Sequence, residues 1–214
     1  MKHAAKRRWW SALFYVSVLG AVPLGISGCA TSGYAHLPSD QQEAVRRIED
    51  YLNSIVSLKA DFAQEGPGQQ QGDGQFTYDT RVLKMDYALP QGVTLVARNE
   101  RLTLKDPSNG SVTKISLKRN PLGYLLRQPL RFNDGIQVTN VIHGSDSLQV
   151  SLAEANNPSQ GLLTMQFSDI HGRLSLIGLQ GVDAHGHRFG LSLFNVKEEL
   201  SEPNDAVSPS SSAQ

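Results

Sequence analysis

Along this chain apolar residues first recur every three or four positions and then, from Leu58 onward, every second position. Val45, Ile48, Leu52 and Ile55 form a stripe opposite Arg46, Arg47 and Asp50, which predicts one amphipathic helix. Ser39 is placed to cap that helix, with Gln42 three residues on as its capping-box partner. After Ser57 the period becomes two: Leu58, Ala60 and Phe62, then Phe76 and Tyr78, then Leu83, Met85 and Tyr87. Val93 and Leu95, Leu102 and Leu104, and Ile115 and Leu117 continue it. The pattern resumes in Ile136 and Val138, Leu148 to Leu152, Leu163 to Phe167, Leu174 and Leu176, and Phe189 to Leu193. Turn sequences such as "DPSNG" (106–110), "HGSD" (143–146) and "DAHG" (183–186) separate these runs. Connections this short leave no room for crossover helices, so neighbouring strands should be antiparallel.

One stretch breaks the alternation. "NPLGYLL" (120–126) places Pro121 in a first helical turn with Leu122, Leu125 and Leu126 on one side, and Pro129 ends it. Roughly ten strands with so little helix should curl rather than lie flat. The fold class expected is mainly β (α+β): a curved antiparallel sheet forming an incomplete half-barrel covered by a small helical lid.

The first residues read as targeting rather than fold. Lys2, Lys6, Arg7 and Arg8 precede an apolar stretch from Trp9 to Leu24, and then come Ile26-Ser27-Gly28-Cys29. This order resembles the lipobox of bacterial lipoproteins, in which the cysteine is acylated and becomes the new N-terminus. Ordinary secretion and an uncleaved membrane helix are the alternatives, although Pro23 interrupts such a helix. The expected organisation is a lipoprotein signal peptide over 1–28, a lipidated tether over 29–38 beginning at Cys29, one domain over 39–200, and a disordered Ser- and Pro-rich tail over 201–214. Ala30, where many lipoproteins retained at the inner membrane carry Asp, points to the periplasmic face of the outer membrane.

All 20 acidic residues but only 16 of the 20 basic ones follow Cys29, which leaves the domain mildly acidic. Such a chain has no electrostatic footprint for phosphate backbones, so nucleic acid is not an expected partner.

Candidate chemistry is sparse. Of the six histidines, His143, His171, His185 and His187 lie in turns beside glycine, and no further cysteine is present to complete a zinc site. No metal site and no cofactor are expected. No nucleophile elbow, phosphate-cradling loop or HExxH helix appears, and Glu198-Glu199 reads as surface, so no catalytic residue is assigned. What remains is apolar surface in an architecture that covers it incompletely. A pocket between a curved sheet and a lid suits acyl chains, and the same residues equally suit the ordinary core of a sheet protein.

Five stretches in order resemble the LolA family of periplasmic lipoprotein carriers: "LNSIVSLKADFAQ" (52–64), "GQFTYDTRVLKMDYALP" (74–90), "VARNERLTLKD" (96–106), "KISLKRNPLGYLL" (114–126) and "GVDAHGHRFGLSLFNV" (181–196). The resemblance implies a non-enzymatic chaperone that takes the acyl chains of lipoproteins and passes them towards the outer membrane. It implies a lid-latch arginine, whose nearest match is Arg81. Acyl-cavity and lid residues would be Ile48, Leu52, Ile55, Met85, Tyr87, Leu95, Leu102, Leu104, Ile115, Leu117, Leu122, Leu125 and Leu126. The implied partners are acylated lipoprotein cargo and an inner-membrane release transporter or an outer-membrane acceptor, with a monomeric chain held to the membrane through Cys29. A membrane-anchored lipid-binding sensor or structural lipoprotein of the envelope is the alternative.

Overall fold

The computed structural model describes residues 33–66, 71–79, 81–118, 121–133, 135–183 and 185–201. The proposed signal peptide, Cys29 and the tail beyond Ser201 lie outside these residues. The described chain opens with a short 3-10 turn, Tyr34–His36, whose Tyr34 packs with Leu37 against the domain core.

Helix α1 spans Ser39–Ser54. Ala44, Val45, Ile48, Tyr51 and Leu52 are its buried face, as the helical spacing requires. Its start differs from the expected capping box. Pro38 occupies the cap position, Ser39 is the first helical residue, and no side chain caps the helix. Gln42 instead donates its N–H to Pro38 O (2.9 Å) and its amide to Leu37 O (2.8 Å). The helix also ends earlier than its stripe suggests: Ile55 has extended geometry and opens strand β1 with no intervening loop.

Among the described residues eleven strands form a single sheet. They are β1 (Ile55–Glu65), β2 (Gln71–Asp79), β3 (Val82–Leu89), β4 (Thr94–Arg98), β5 (Arg101–Asp106), β6 (Ser111–Ser116), β7 (Ile136–His143), β8 (Ser147–Glu154), β9 (Gly161–Ile170), β10 (Arg173–Asp183) and β11 (Arg188–Leu200). Their spatial order is β6-β5-β4-β3-β2-β1-β11-β10-β9-β8-β7, every pairing is antiparallel, and β6 and β7 are free edges. Two local meanders are thus joined where β1 meets β11. The sheet is curved and unclosed, an incomplete half-barrel with a small helical cover, and its concave face carries the core.

Alternation accounts for most of that core. Leu58, Ala60 and Phe62 on β1, Val150 and Leu152 on β8, and Leu163, Met165 and Phe167 on β9 all point inward and are buried. Register shifts account for what alternation misses. On β10 the bulge between Leu176 and Gly178 leaves Ile177 exposed and turns Leu179 inward; on β7 the shift between Val138 and Asn140 brings Val141 in.

The segment after β6 crosses the open side. It contains one helical turn, α2 (Pro121–Tyr124), which rests against β8 and β9, followed by a run whose Leu130 and Phe132 are fully buried. Gly123 lets α2 lie flush on the chain before it, since a Cβ there would sit 2.2 Å from Leu117 O.

Candidate functional site: a latched cavity under the lid

A cavity of ≈ 40 Å³ lies between the concave face and the lid, lined from α1 and β1 by Leu52, Ile55 and Leu58, from β2 and β3 by Phe76, Tyr78 and Leu83, and from β9 and β10 by Met165, Leu176 and Leu179. Leu125, Leu126 and Leu130 close it from the lid side, and Arg81 is the one charged lining residue among the described residues. A volume of this size holds about one water-sized group. A ligand site for a long chain needs roughly ten times as much.

Three sets of polar contacts tie α1 to the covering segment and to the sheet. The first is centred on Arg81, in the two-residue turn between β2 and β3. Its Nη1 donates to Tyr78 Oη (2.8 Å) and, over a longer reach, to Leu52 O (3.5 Å); its Nη2 donates to Asn53 Oδ1 (3.1 Å). Leu52 and Asn53 belong to the last turn of α1, where unpaired carbonyls attract a cation. Tyr78 Oη in turn donates to Leu125 O (3.4 Å), and burial pushes its phenol above the ordinary range, which keeps it neutral.

The second set is centred on Asn53. Its Oδ1 also accepts the Leu130 N–H (2.8 Å), and its Nδ2 donates to Leu130 O (3.0 Å). One amide therefore ties the helix, the covering segment and the Arg81 turn together. Nearby, Glu49 accepts the Phe132 N–H.

The third set fixes α1 to the other meander. Tyr51 Oη donates to Glu198 Oε1 (2.7 Å) and accepts the Leu176 N–H (2.9 Å), while Ser175 Oγ donates to the same carboxylate oxygen (2.6 Å). Burial, with the Glu198 hydrogen bond adding to it, pushes the Tyr51 phenol far above its ordinary range. Glu198 is half-buried, which corrects the expectation that it is plain surface. Arg47 adds a two-pronged pair with Asp169 at 2.9 and 2.8 Å.

The sequence-derived site residues divide into groups. Leu52, Ile55, Leu125, Leu126 and Arg81 line the cavity itself. Ile48, Met85 and Leu117 are buried in the surrounding core, with Tyr87, Leu95, Leu102 and Leu122 packed against it. Tyr87 stands edge-on to Phe62 and donates to Gln64 Oε1 (2.5 Å). Leu104 is half-buried. Ile115 is not brought in: it pairs with Leu102 in register, yet it is 50% exposed, because β6 is an edge strand that the lid does not reach.

Asn53, Tyr51 and Leu130 join α1 to the covering segment and to the second meander, and the periodicity does not mark them. Asn53 and Tyr51 sit in or near the last turn of an amphipathic helix and look like ordinary helix residues until their partners are in place. Leu130 follows Pro129 in a segment without period.

Asp183, His185 and His187 meet at the tip of the β10–β11 hairpin, with one possible ligand atom from each within 4.8 Å of the others, all exposed. Asp183 Oδ1 already accepts the N–H groups of His185 (2.8 Å) and His187 (2.9 Å), which ties the turn.

A sheet curved around an apolar interior and closed by a cover held with polar contacts defines a lidded half-barrel with an internal cavity. Over residues 53–206 the sequence matches the family model described as "Outer membrane lipoprotein carrier protein LolA", and the chain belongs to the LolA family, one of carrier proteins. No curated protein matches the chain. Among solved structures it is similar to a LolA superfamily protein from Nitrosomonas europaea (12% identity, 74% of this chain and 93% of that one, TM-score 0.42). It is also similar to the Mycobacterium tuberculosis lipoprotein LppX (10% identity, 75% and 94%, TM-score 0.40). A third is an uncharacterized conserved protein from Thermus thermophilus (11% identity, 78% and 96%, TM-score 0.41).

Proposed function

We propose that this domain is a non-enzymatic carrier or receiver of lipoproteins in the cell envelope, which takes the acyl chains of its cargo between the concave face and the lid. It is anchored through an acylated Cys29 on the periplasmic side of the outer membrane. Its partners are the acylated cargo and the inner-membrane release transporter or outer-membrane acceptor that exchanges cargo with it, and it works as a monomer. Arg81 is the latch. The observation that carries this reading is the apolar cavity, collapsed to ≈ 40 Å³ and bridged by Arg81 from the β2–β3 turn to the end of α1.

The energetics suit reversible loading. The Arg81 and Asn53 contacts together are worth about 3–5 kcal/mol. Each methylene moved from water into the interior returns about 0.8 kcal/mol. About six buried methylenes therefore offset the loss of these contacts, and a full acyl chain exceeds it. No chemical step is required, only an exchange of one apolar surface for another.

The test is binding of a synthetic N-acyl, S-diacylglyceryl-cysteine peptide by native mass spectrometry, beside the same peptide without acyl groups. The full chain is used as a Cys29→Ala variant, so that its own lipid does not compete. The acylated peptide alone should form a one-to-one complex. Equal binding of the two peptides, or none of either, refutes the reading.

A further inference from the structure

The tip of the β10–β11 hairpin carries more chemistry than its turn needs. The turn is held by four contacts: the Asp183 N–H donates to His187 O (3.0 Å), the Gly186 N–H donates to Asp183 O (3.0 Å), and Asp183 Oδ1 accepts the N–H groups of His185 and His187. Gly186, with φ 83°, supplies the left-handed geometry the turn requires. These contacts use the backbone of the two histidines and leave their rings out. Other residues at 185 and 187 would close the same hairpin, yet both are imidazoles.

The rings are brought to one side of the turn. They stack at 28° to one another with centroids 5.9 Å apart. His187 Nδ1 lies 2.9 Å and His185 Nδ1 3.9 Å from Asp183 Oδ2, the carboxylate oxygen that takes no part in the backbone contacts. One donor atom from each of the three residues thus lies within 4.8 Å of the others. Spacing along the chain offers only two histidines and no cysteine to join them; the folded turn adds Asp183 as the third donor.

We infer that Asp183, His185 and His187 bind a divalent transition ion of the zinc, copper(II) or nickel(II) type. Two imidazole nitrogens and one carboxylate oxygen suit these ions, whereas Mg²⁺ and Ca²⁺ take oxygen donors. Tetrahedral bonds of about 2.0–2.1 Å set ligand atoms about 3.3 Å apart, so small rotations of three exposed side chains complete the set. Because the backbone contacts already hold the three residues together, little order is lost on binding. Water fills the remaining position, which keeps the ion exchangeable. None of the three residues lines the cavity under the lid, so this site stands independently of the acyl-cavity reading.

The test uses the full chain without a polyhistidine tag, as the Cys29→Ala variant so that no thiol competes for metal. Zinc chloride is titrated by calorimetry at pH 7.5 into this protein and into His185→Asn, His187→Asn and Asp183→Asn made in it. Asparagine at 183 keeps the Oδ1 acceptor of the turn and removes the charge. One zinc ion should bind per chain, and magnesium chloride should not bind over the same range. Losing a partner that only orients a ligand costs about 10–100-fold in metal affinity, so losing a ligand itself should weaken zinc by at least about tenfold in each variant. His143→Asn, at the end of β7, should bind zinc as the parent does. Thermal unfolding without metal should be alike in all of these proteins, which separates loss of a ligand from loss of the fold. No zinc binding by the parent overturns the inference, and so does an affinity unchanged in any of the three variants or lowered equally in His143→Asn.

Discussion

Replacing Asn53 with Leu keeps the size of the side chain and removes its polar contacts. Three hydrogen bonds go: one from Arg81 Nη2 (3.1 Å), one from the Leu130 N–H (2.8 Å) and one to Leu130 O (3.0 Å). Leu130 is 1% exposed, so with the lid shut its N–H and C=O would be buried without partners. At about 1 kcal/mol for each lost bond, the closed state weakens by about 3 kcal/mol, and the open fraction rises by roughly a hundredfold. Because water satisfies both Leu130 groups once the segment lifts, the loss should appear as local opening rather than global unfolding. Amide hydrogen exchange reads this directly. In Asn53→Leu the Leu130 and Phe132 amides should exchange about two orders of magnitude faster, while core amides of β9, such as Met165, keep their protection. Acyl-peptide affinity should rise in the same variant, since less free energy is spent on opening. Unchanged exchange at Leu130 in a folded variant refutes the assignment of Asn53 as the junction of the lid.

Two further outcomes follow from the contacts of α1 with the second meander. Tyr51→Phe deprives Glu198 of one donor and leaves the Leu176 N–H without an acceptor, so thermal or urea denaturation should show a loss of about 1.5–3 kcal/mol; a loss under about 0.5 kcal/mol refutes the clamp. The Arg47 hydrogen bond holds the Asp169 carboxyl below the usual carboxylate range, so its stabilisation is present above the unfolded value near 3.9 and is lost as pH falls through the lowered folded value. The difference in stability between the intact chain and Arg47→Met should therefore be at most about 1 kcal/mol at pH 7 and shrink as the pH falls below the unfolded value. A difference that stays constant across that range counts against it.

Periodicity was enough to read the architecture from the sequence, because a one-sided sheet writes its buried face into every second residue. The helix stripe Val45, Ile48 and Leu52 was legible for the same reason. Where the backbone shifts register, the rule inverts: Leu179 and Val141 are core residues of the wrong parity, and only the bulges explain them. Ile115 shows the opposite limit, a residue of the right parity on a strand that nothing covers. The contacts that hold the lid were least legible. Asn53, Tyr51 and Glu198 carry no pattern, since their meaning lies in partners 23 to 147 residues away along the chain. Arg81 stood out through family resemblance, and its contacts with the end of α1 became visible with the fold.

The joint between β1 and β11 bears on how the chain reaches this structure. Each meander is assembled from hairpins between neighbours in sequence and can form quickly, whereas the joint brings Ile55 against Leu200 and must wait for almost the whole domain. Until β11 arrives, β1 and β10 each present an unpaired edge beside an apolar face, the condition under which chains adhere to one another. The last strand pair to form is therefore the point at which a newly made chain is most exposed to error, and substitutions in Arg188–Leu200 should reduce the yield of folded protein more than equal losses of stability placed in strands away from this joint.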